Sequence, residues 1–256
     1  MLKFIGVKIG GSIMKIKYKR LLSAVLSASM ILGILPVYAD TASKAITITV
    51  GKDGDCDYKS IQEAIDSIKD TPTEKFRATI RINPGVYNED VTVDKPYISF
   101  VNTSKKEDVI ITYDKANGHP DPLKNYGTDK TATVTVKEGA DGFTAENITF
   151  VNSYNIDEPD NDVRKQVQAV ALETMADKIV LDNCKMIGRQ DTLYLKGASK
   201  GQQVSGEANP ARVYLKNCYI EGTVDFIFGD ATAYFDNCNL NICLLYTSDA
   251  ADDRIS

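Results

Sequence analysis

The chain has 256 residues, 43% of them hydrophobic and 25% charged, which is the balance of a globular protein and excludes general disorder. Its formal net charge is −5, and its one histidine, His119, lies in the loop-like run Asn117-Gly118-His119-Pro120. Zinc sites built from several histidines are thereby excluded, and a Ser-His-Asp triad has one candidate, which such a loop leaves solvated. Five cysteines (Cys56, Cys184, Cys218, Cys238, Cys243) form no CxxC pair, and their odd number leaves at least one unpaired in a monomer.

Residues 1–39 hold six basic and no acidic residues, then an apolar run from Leu21 to Val37 and the small-residue site Val37-Tyr38-Ala39. This is the pattern of a secretory signal peptide. Ser23, Ser27, Ser29 and Gly33 dilute the run too far for a membrane anchor. Cleavage after Ala39 removes six positive charges and takes the net charge to −11. Such an acidic product is unsuited to nucleic acid or an anionic membrane surface.

From Tyr58 to Ile68, Ile61, Ala64, Ile65 and Ile68 recur at helical spacing behind Ser60 as a candidate cap. A short helix covering an open end of the fold is expected there. Thr79 to Tyr87 then reads as strand and turn, beginning a stack that Val91, Val93, Ile98, Phe100, Val109 and Ile111 continue. Asn147-Ile148-Thr149-Phe150, Asn183-Cys184-Lys185-Met186, Asn217-Cys218-Tyr219-Ile220 and Asn237-Cys238-Asn239-Leu240 share one pattern at spacings of 36, 34 and 20 residues. Short strands recurring at such a period predict a solenoid whose turns share one core. The polar stretches Ser153 to Lys165 and Lys196 to Ala211 read as insertions that make the spacing uneven. In such a stack Cys184, Cys218 and Cys238 align as small inward residues, with a stacked disulfide as the alternative, and the asparagines satisfy backbone groups of turns.

Gln168 and Gln190 are 22 residues apart, close to one uninterrupted turn of the stack, and Asp191 and Asp225 are 34 apart, one turn plus an insertion. Stacking therefore brings Gln168, Gln190, Asp191 and Asp225 to one face. Two amides can donate to a developing oxyanion while one carboxylate attacks and the other protonates a leaving group. That set suits acyl transfer from an ester.

Gly188-Arg189-Gln190-Asp191-Thr192-Leu193 and Gly222-Thr223-Val224-Asp225-Phe226-Ile227-Phe228-Gly229 resemble the two signature motifs of the pectin methylesterases (pectinesterases). The likeness extends to Pro84-Gly85-Val86-Tyr87-Asn88-Glu89, to Thr131–Val134, to Asp141–Phe150 and to Gln168-Ala169-Val170-Ala171-Leu172, and runs from Ile46 to Leu240. The resemblance implies an all-β chain, a right-handed parallel β-helix with a short N-terminal capping helix. It further implies a secreted, monomeric enzyme that hydrolyses methyl esters of homogalacturonan without metal or cofactor. It assigns Asp225 as nucleophile, Asp191 as acid and then base, and Gln190 and Gln168 as oxyanion donors. Val224 and Phe228 line the groove in this scheme, and Thr128 matches a substrate-contacting threonine.

The chain lacks a tryptophan, and its last arginine is Arg254, so the family's later Gly-Arg-x-Trp element has no match. The expected organisation is a signal peptide at 1–39, a β-helix domain at 40–242 that is incomplete at its C-terminus, and a non-native tail at 243–256 that reads like translated adapter DNA. On this reading the last turn exposes a strand edge, and the polypeptide is poorly soluble with little activity. The competing functions are a lyase or glycosidase on the same fold, and a non-catalytic pectin-binding solenoid. A lyase calls for a calcium-binding acidic cluster near Asp191 and Asp225 that the sequence lacks, and a glycosidase leaves the two glutamines without a task.

Overall fold

A computed structural model describes residues 44–154, 156, 167–197 and 211–243. The expected signal peptide, residues 244–256 of the tail and most of both insertions lie outside the described residues. The described chain winds into three parallel sheets. The seven-stranded sheet stacks β1 (Ile46–Val50), β2 (Ala78–Ile82), β5 (Ile98–Asn102), β8 (Thr144–Glu146), β11 (Ile179–Asp182), β14 (Arg212–Lys216) and β17 (Thr232–Asp236). A six-stranded sheet holds β3 (Gly85–Asn88), β6 (Val109–Tyr113), β9 (Ile148–Asn152), β12 (Lys185–Ile187), β15 (Tyr219–Gly222) and β18 (Asn239–Ile242). The third holds β4 (Val91–Val93), β7 (Val134–Val136), β10 (Leu172–Thr174), β13 (Leu193–Leu195) and β16 (Ile227–Gly229).

Each complete coil contributes one strand to each sheet, so every strand hydrogen-bonds its equivalent one coil away, and this is a parallel β-helix. Side chains alternate in and out along each strand, and register turns the inward positions into continuous stacks. One stack runs Tyr87, Ile111, Phe150, Met186, Ile220, Leu240; another runs Ile80, Phe100, Ala145, Leu181, Leu215, Phe235. Phe100 and Phe143 meet edge to face inside the core, with centroids 5.1 Å apart. The stacking starts one strand before the expected start at Thr79, since Ile46, Ile48 and Val50 alternate along β1, which pairs with β2.

Helix α1 (Ile61–Ser67) begins where the capping pattern places it, with Ser60 Oγ accepting from the Glu63 amide at 3.3 Å. Glu89, from the turn after β3, takes the remaining free donors of that end: its Oε2 accepts from the Ile61 and Gln62 amides at 2.9 and 3.1 Å. The helix buries Ile61, Ala64 and Ile65 in the core shared with the first coils.

The turns from the first sheet to the second are built on Asn147, Asn183, Asn217 and Asn237, all with φ between +52° and +58°. Asparagine tolerates this left-handed conformation better than other non-glycine residues, which lets one residue reverse the chain. Their side chains do not serve the turn backbone as expected. They bond along the stack instead, Asn183 to Asn147 and Asn237 Nδ2 to Asn217 Oδ1 at 2.7 Å, because a coil spacing near 4.8 Å brings equivalent amides within reach. Cys184 and Cys218 are buried in line beneath this ladder and Cys238 is half-buried.

Candidate active site

Apart from Phe228, which lies in β16, the candidate site residues lie in the turns from the six-stranded to the five-stranded sheet. Here the backbone ladder continues through irregular chain. The Asn117 amide donates to Gln168 O at 2.9 Å, the Ala169 amide to Gln190 O at 3.1 Å, and the Asp191 amide to Val224 O at 3.0 Å. Gln168, Gln190 and Val224 therefore share one station on three successive coils, and Ala169, Asp191 and Asp225 share the next. The spacing argument for these residues holds for the backbone: both amides and both carboxylates start from adjacent stations.

Asp191 and Asp225 both sit in the left-handed region, with φ of +65° and +47°. Neither is glycine, so each turn carries local strain that its neighbours must hold. The holding residue is Thr192, fully buried, whose Oγ lies 3.1 Å from Arg189 O and 2.9 Å from Glu221 O. The Thr223 amide adds a bond to Arg189 O at 2.9 Å. Gly222 completes the crossing: a Cβ there would stand 2.4 Å from Phe226 Cβ, 2.5 Å from Thr192 Oγ1 and 2.6 Å from Arg189 O. Gly222 thus serves the close contact of successive turns, whereas a Cβ at Gly188 would meet Thr192 Oγ1 of its own turn at 2.8 Å.

The two carboxylates differ in surroundings. Asp191 is 6% exposed, and burial, then the negative charge of Asp225, pushes its carboxyl up to about 6. Asp225 is exposed. Its coil is the outermost described one of the five-stranded sheet.

Of the two glutamines, Gln168 has its amide oxygen engaged, accepting from Asn117 Nδ2 at 3.0 Å. Phe228 stacks on Tyr194 one coil back, with centroids 4.1 Å apart and planes 15° from parallel. Val224 is half-buried at the glutamine station. Thr128 lies one step further off, in a short 3-10 turn (Thr128–Lys130). Its carbonyl accepts from Thr131 Oγ1 at 2.9 Å, and that oxygen accepts in turn from the Val170 amide at 3.2 Å.

Residues outside the sequence-derived set complete the surroundings. Asn152 is fully buried, and its Nδ2 lies 2.9 Å from Lys115 O and 3.0 Å from both Thr131 O and Val170 O. It thereby ties the turn carrying Thr128 to the irregular segment that follows Gln168. Glu173 lies in the outward row with Tyr194 and Phe228 yet is 1% exposed, and neither carboxylate oxygen has a hydrogen-bond partner. Burial raises its carboxyl to about 7, against the opposing pull of Lys196. His119 is less solvated than its loop suggests. Its Nδ1 accepts from the Asp121 amide at 2.9 Å, and its ring lies 4.9 Å from that of Tyr154. Among the described residues no three His, Cys, Asp or Glu side chains are grouped to hold a metal ion.

Residues 47–249 match the family model described as Pectinesterase. Pectinesterase 31 of Arabidopsis thaliana is 37% identical over 198 residues, 76% of this chain and 55% of that protein. A pectin methylesterase from carrot superposes with a TM-score of 0.59 at 33% identity, over 75% of this chain and 51% of that one. A pectin methylesterase solved in complex with a hexasaccharide gives a TM-score of 0.60 at 29% identity, covering 77% of this chain and 55% of the other. The chain spans about half the length of these relatives, and it belongs to the pectinesterase family.

Proposed function

We propose that this member of the pectinesterase family hydrolyses methyl esters of homogalacturonan, with Asp225 as nucleophile and Asp191 as proton carrier. The observation that carries the reading is the stacking of the two aspartates at one station with the two glutamines beside them. An exposed carboxylate can be reached by a polymer, and Asp225 attacks the ester carbonyl carbon. The oxyanion that forms is met by amide hydrogens of Gln168 and Gln190. As the tetrahedral species collapses, the C–O bond to methoxide breaks, and Asp191 gives its proton to release methanol. The Asp225 carboxylate is then acylated as an anhydride. Asp191, now ionised, takes a proton from water, whose oxygen attacks the acyl carbon and frees the galacturonate carboxyl and Asp225.

The burial of Asp191 supports its role, since a carboxyl titrating near 6 holds a usable proton where an ordinary aspartate has none. In a chain without tryptophan, Tyr194 and Phe228 supply the aromatic surface for a sugar ring. Residues 1–39 support export to where pectin is found, and a net charge of −11 after cleavage favours a neutral, esterified substrate over nucleic acid or membrane. The protein is proposed to act as a monomer.

Methanol release from highly methylated pectin, compared between the chain and Asp225→Ala, tests the proposal. Methanol that disappears in the variant supports it. Unsaturated sugar ends indicate a lyase, new reducing ends a glycosidase, and pectin binding indifferent to Asp225 a non-catalytic solenoid.

A further inference from the structure

An amide side chain can stabilise an oxyanion only through its NH2 end. The carbonyl end of a glutamine has nearly the same shape, and turned into the site it would repel the charge it should stabilise. Something must therefore decide which end of Gln168 faces the aspartates. The structure places Asn117 at that task. Asn117 Nδ2 donates to Gln168 Oε1 at 3.0 Å, and the Asn117 backbone amide donates to Gln168 O at 2.9 Å. The order of the ladder gives the direction: Asn117 lies on the coil before Gln168, whereas Gln190, Asp191 and Asp225 lie on the coils after it. With Oε1 turned back to Asn117, Nε2 is the end left to face forward.

Asn117 is itself held. The Ala116 amide donates to Lys124 O and the Tyr126 amide to Ala116 O, both at 3.1 Å, while the Gly118 amide donates to Asn125 Oδ1 at 2.8 Å. Its two neighbours are thus pinned to the far side of the same loop, which leaves the Asn117 side chain little freedom to follow a flipped glutamine.

We propose that Asn117 is a positioning residue that sets the polarity of the Gln168 amide, and so makes Gln168 an oxyanion donor. The inference rests on the ester-hydrolysis reading above. Its signature is the ranking of two substitutions. Asn117→Ala removes the anchor and leaves the glutamine free to turn, lowering kcat by about tenfold. Asn117→Asp keeps the shape but offers an acceptor, which draws Nε2 backwards and turns the carbonyl into the site. Its kcat should fall by about a hundredfold, the scale of losing one oxyanion donor, with KM nearly unchanged. A residue that merely shaped the loop would give the opposite order, because aspartate is the closer isostere.

The test is methanol release by the full chain, its Asn117→Ala and Asn117→Asp variants, and each of these combined with Gln168→Ala, with Asp225→Ala as blank. Thermal unfolding of each confirms that it is folded. The expected result is Asn117→Asp below Asn117→Ala, and no further loss from either once Gln168 is alanine. Equal activities, the reverse order, or losses that multiply with that of Gln168→Ala would overturn the proposal while leaving ester hydrolysis standing. Turnover retained in Asp225→Ala would sink the ester-hydrolysis reading and this inference with it. A measurement independent of turnover is the scalar coupling across the hydrogen bond from Asn117 Nδ2 to the Gln168 carboxamide carbon, which should be present in the chain as it stands; its absence would also overturn the proposal.

Discussion

Glu173 is a buried acid with no hydrogen bond, and replacing it by glutamine should stabilise the protein in a pH-dependent way. The groups that act on it are Lys196 from the end of β13, Asp129 from the turn after Thr128, and Lys115. Lys196 Nζ is 3.9 Å from Glu173 Oε1 but 3.3 Å from Asp129 Oδ2, so the cation is shared and favours the exposed partner. Burial therefore wins, and the carboxyl rises from its ordinary 4.5 to about 7. A raised folded-state value means that the native protein binds more protons than the unfolded chain between these two pH values, so stability falls as pH rises through the window. At about 1.4 kcal/mol per pH unit the interval corresponds to roughly 3.5 kcal/mol, which relaxation of the surroundings of a buried charge reduces to about 2. Urea unfolding of the chain and of Glu173→Gln, from pH 4.5 to 8, should show the difference in stability growing by about 2 kcal/mol in favour of the variant. Near pH 4.5 only the constant difference between two neutral side chains remains. A difference that does not change with pH, or a variant that loses ground at pH 8, would mean that the Lys196 contact outweighs burial and would refute the reasoning.

Three further outcomes follow from the site. The Asp191 carboxyl, followed by carbon NMR, should titrate near 6, and Asp225→Asn should lower that value without bringing it to the ordinary 3.8, because burial is the larger cause. A fall all the way to 3.8 would reverse the ranking of causes. Gly222→Ala must push its new methyl into Phe226, Thr192 and the Arg189 carbonyl, and should cost about 1–3 kcal/mol in urea unfolding together with loss of turnover; a stable, active variant would show that the crossing of turns is looser than drawn. Asn152→Ala leaves the Lys115, Thr131 and Val170 carbonyls short of a buried donor, which should cost about 3 kcal/mol with an unchanged denaturant slope, and a loss under about 1 kcal/mol would mean that water replaces the amide.

The solenoid was legible because its repeat is written in residue types with a physical task. Asparagine at the left-handed turn and apolar residues two apart along each strand recur together, and the 22-residue interval from Gln168 to Gln190 is a direct measure of one coil. What escaped the sequence lies where contacts run between coils without a repeat to announce them. Asn117 sits in an irregular turn beside a histidine that drew attention elsewhere, and its contact is with a residue 51 positions on. Glu173 follows directly on the Gln168–Leu172 motif, and strict alternation sends it outward, so solvent was the natural reading. Nothing local in the sequence says that Lys196 and Tyr194, a coil later, share its surroundings. β1 was missed for a simpler reason: a single strand that precedes the first helix has no repeat unit before it to be compared with.

The same geometry explains how one fold makes two aspartates do different work. Asp191 and Asp225, at one station on successive coils, accept the same left-handed turn, which Ala169 at that station does not. A strict repeat would give them the same environment too, and two identical carboxylates a coil apart would merely repel. The difference comes from position along the stack. Asp191 has a coil on either side, with Thr192 buried under it and the Val224 carbonyl taking its amide, so its carboxyl is desolvated. Asp225 stands on the outermost described coil of the five-stranded sheet and is exposed. The charge of the open one then raises the covered one further, a separation that suits the attacking and proton-bearing roles proposed for them. It follows that covering Asp225 to the extent that Asp191 is covered would erase the distinction. On the roles proposed, anything packed against that coil must leave the Asp225 carboxylate exposed or provide it with a compensating positive charge.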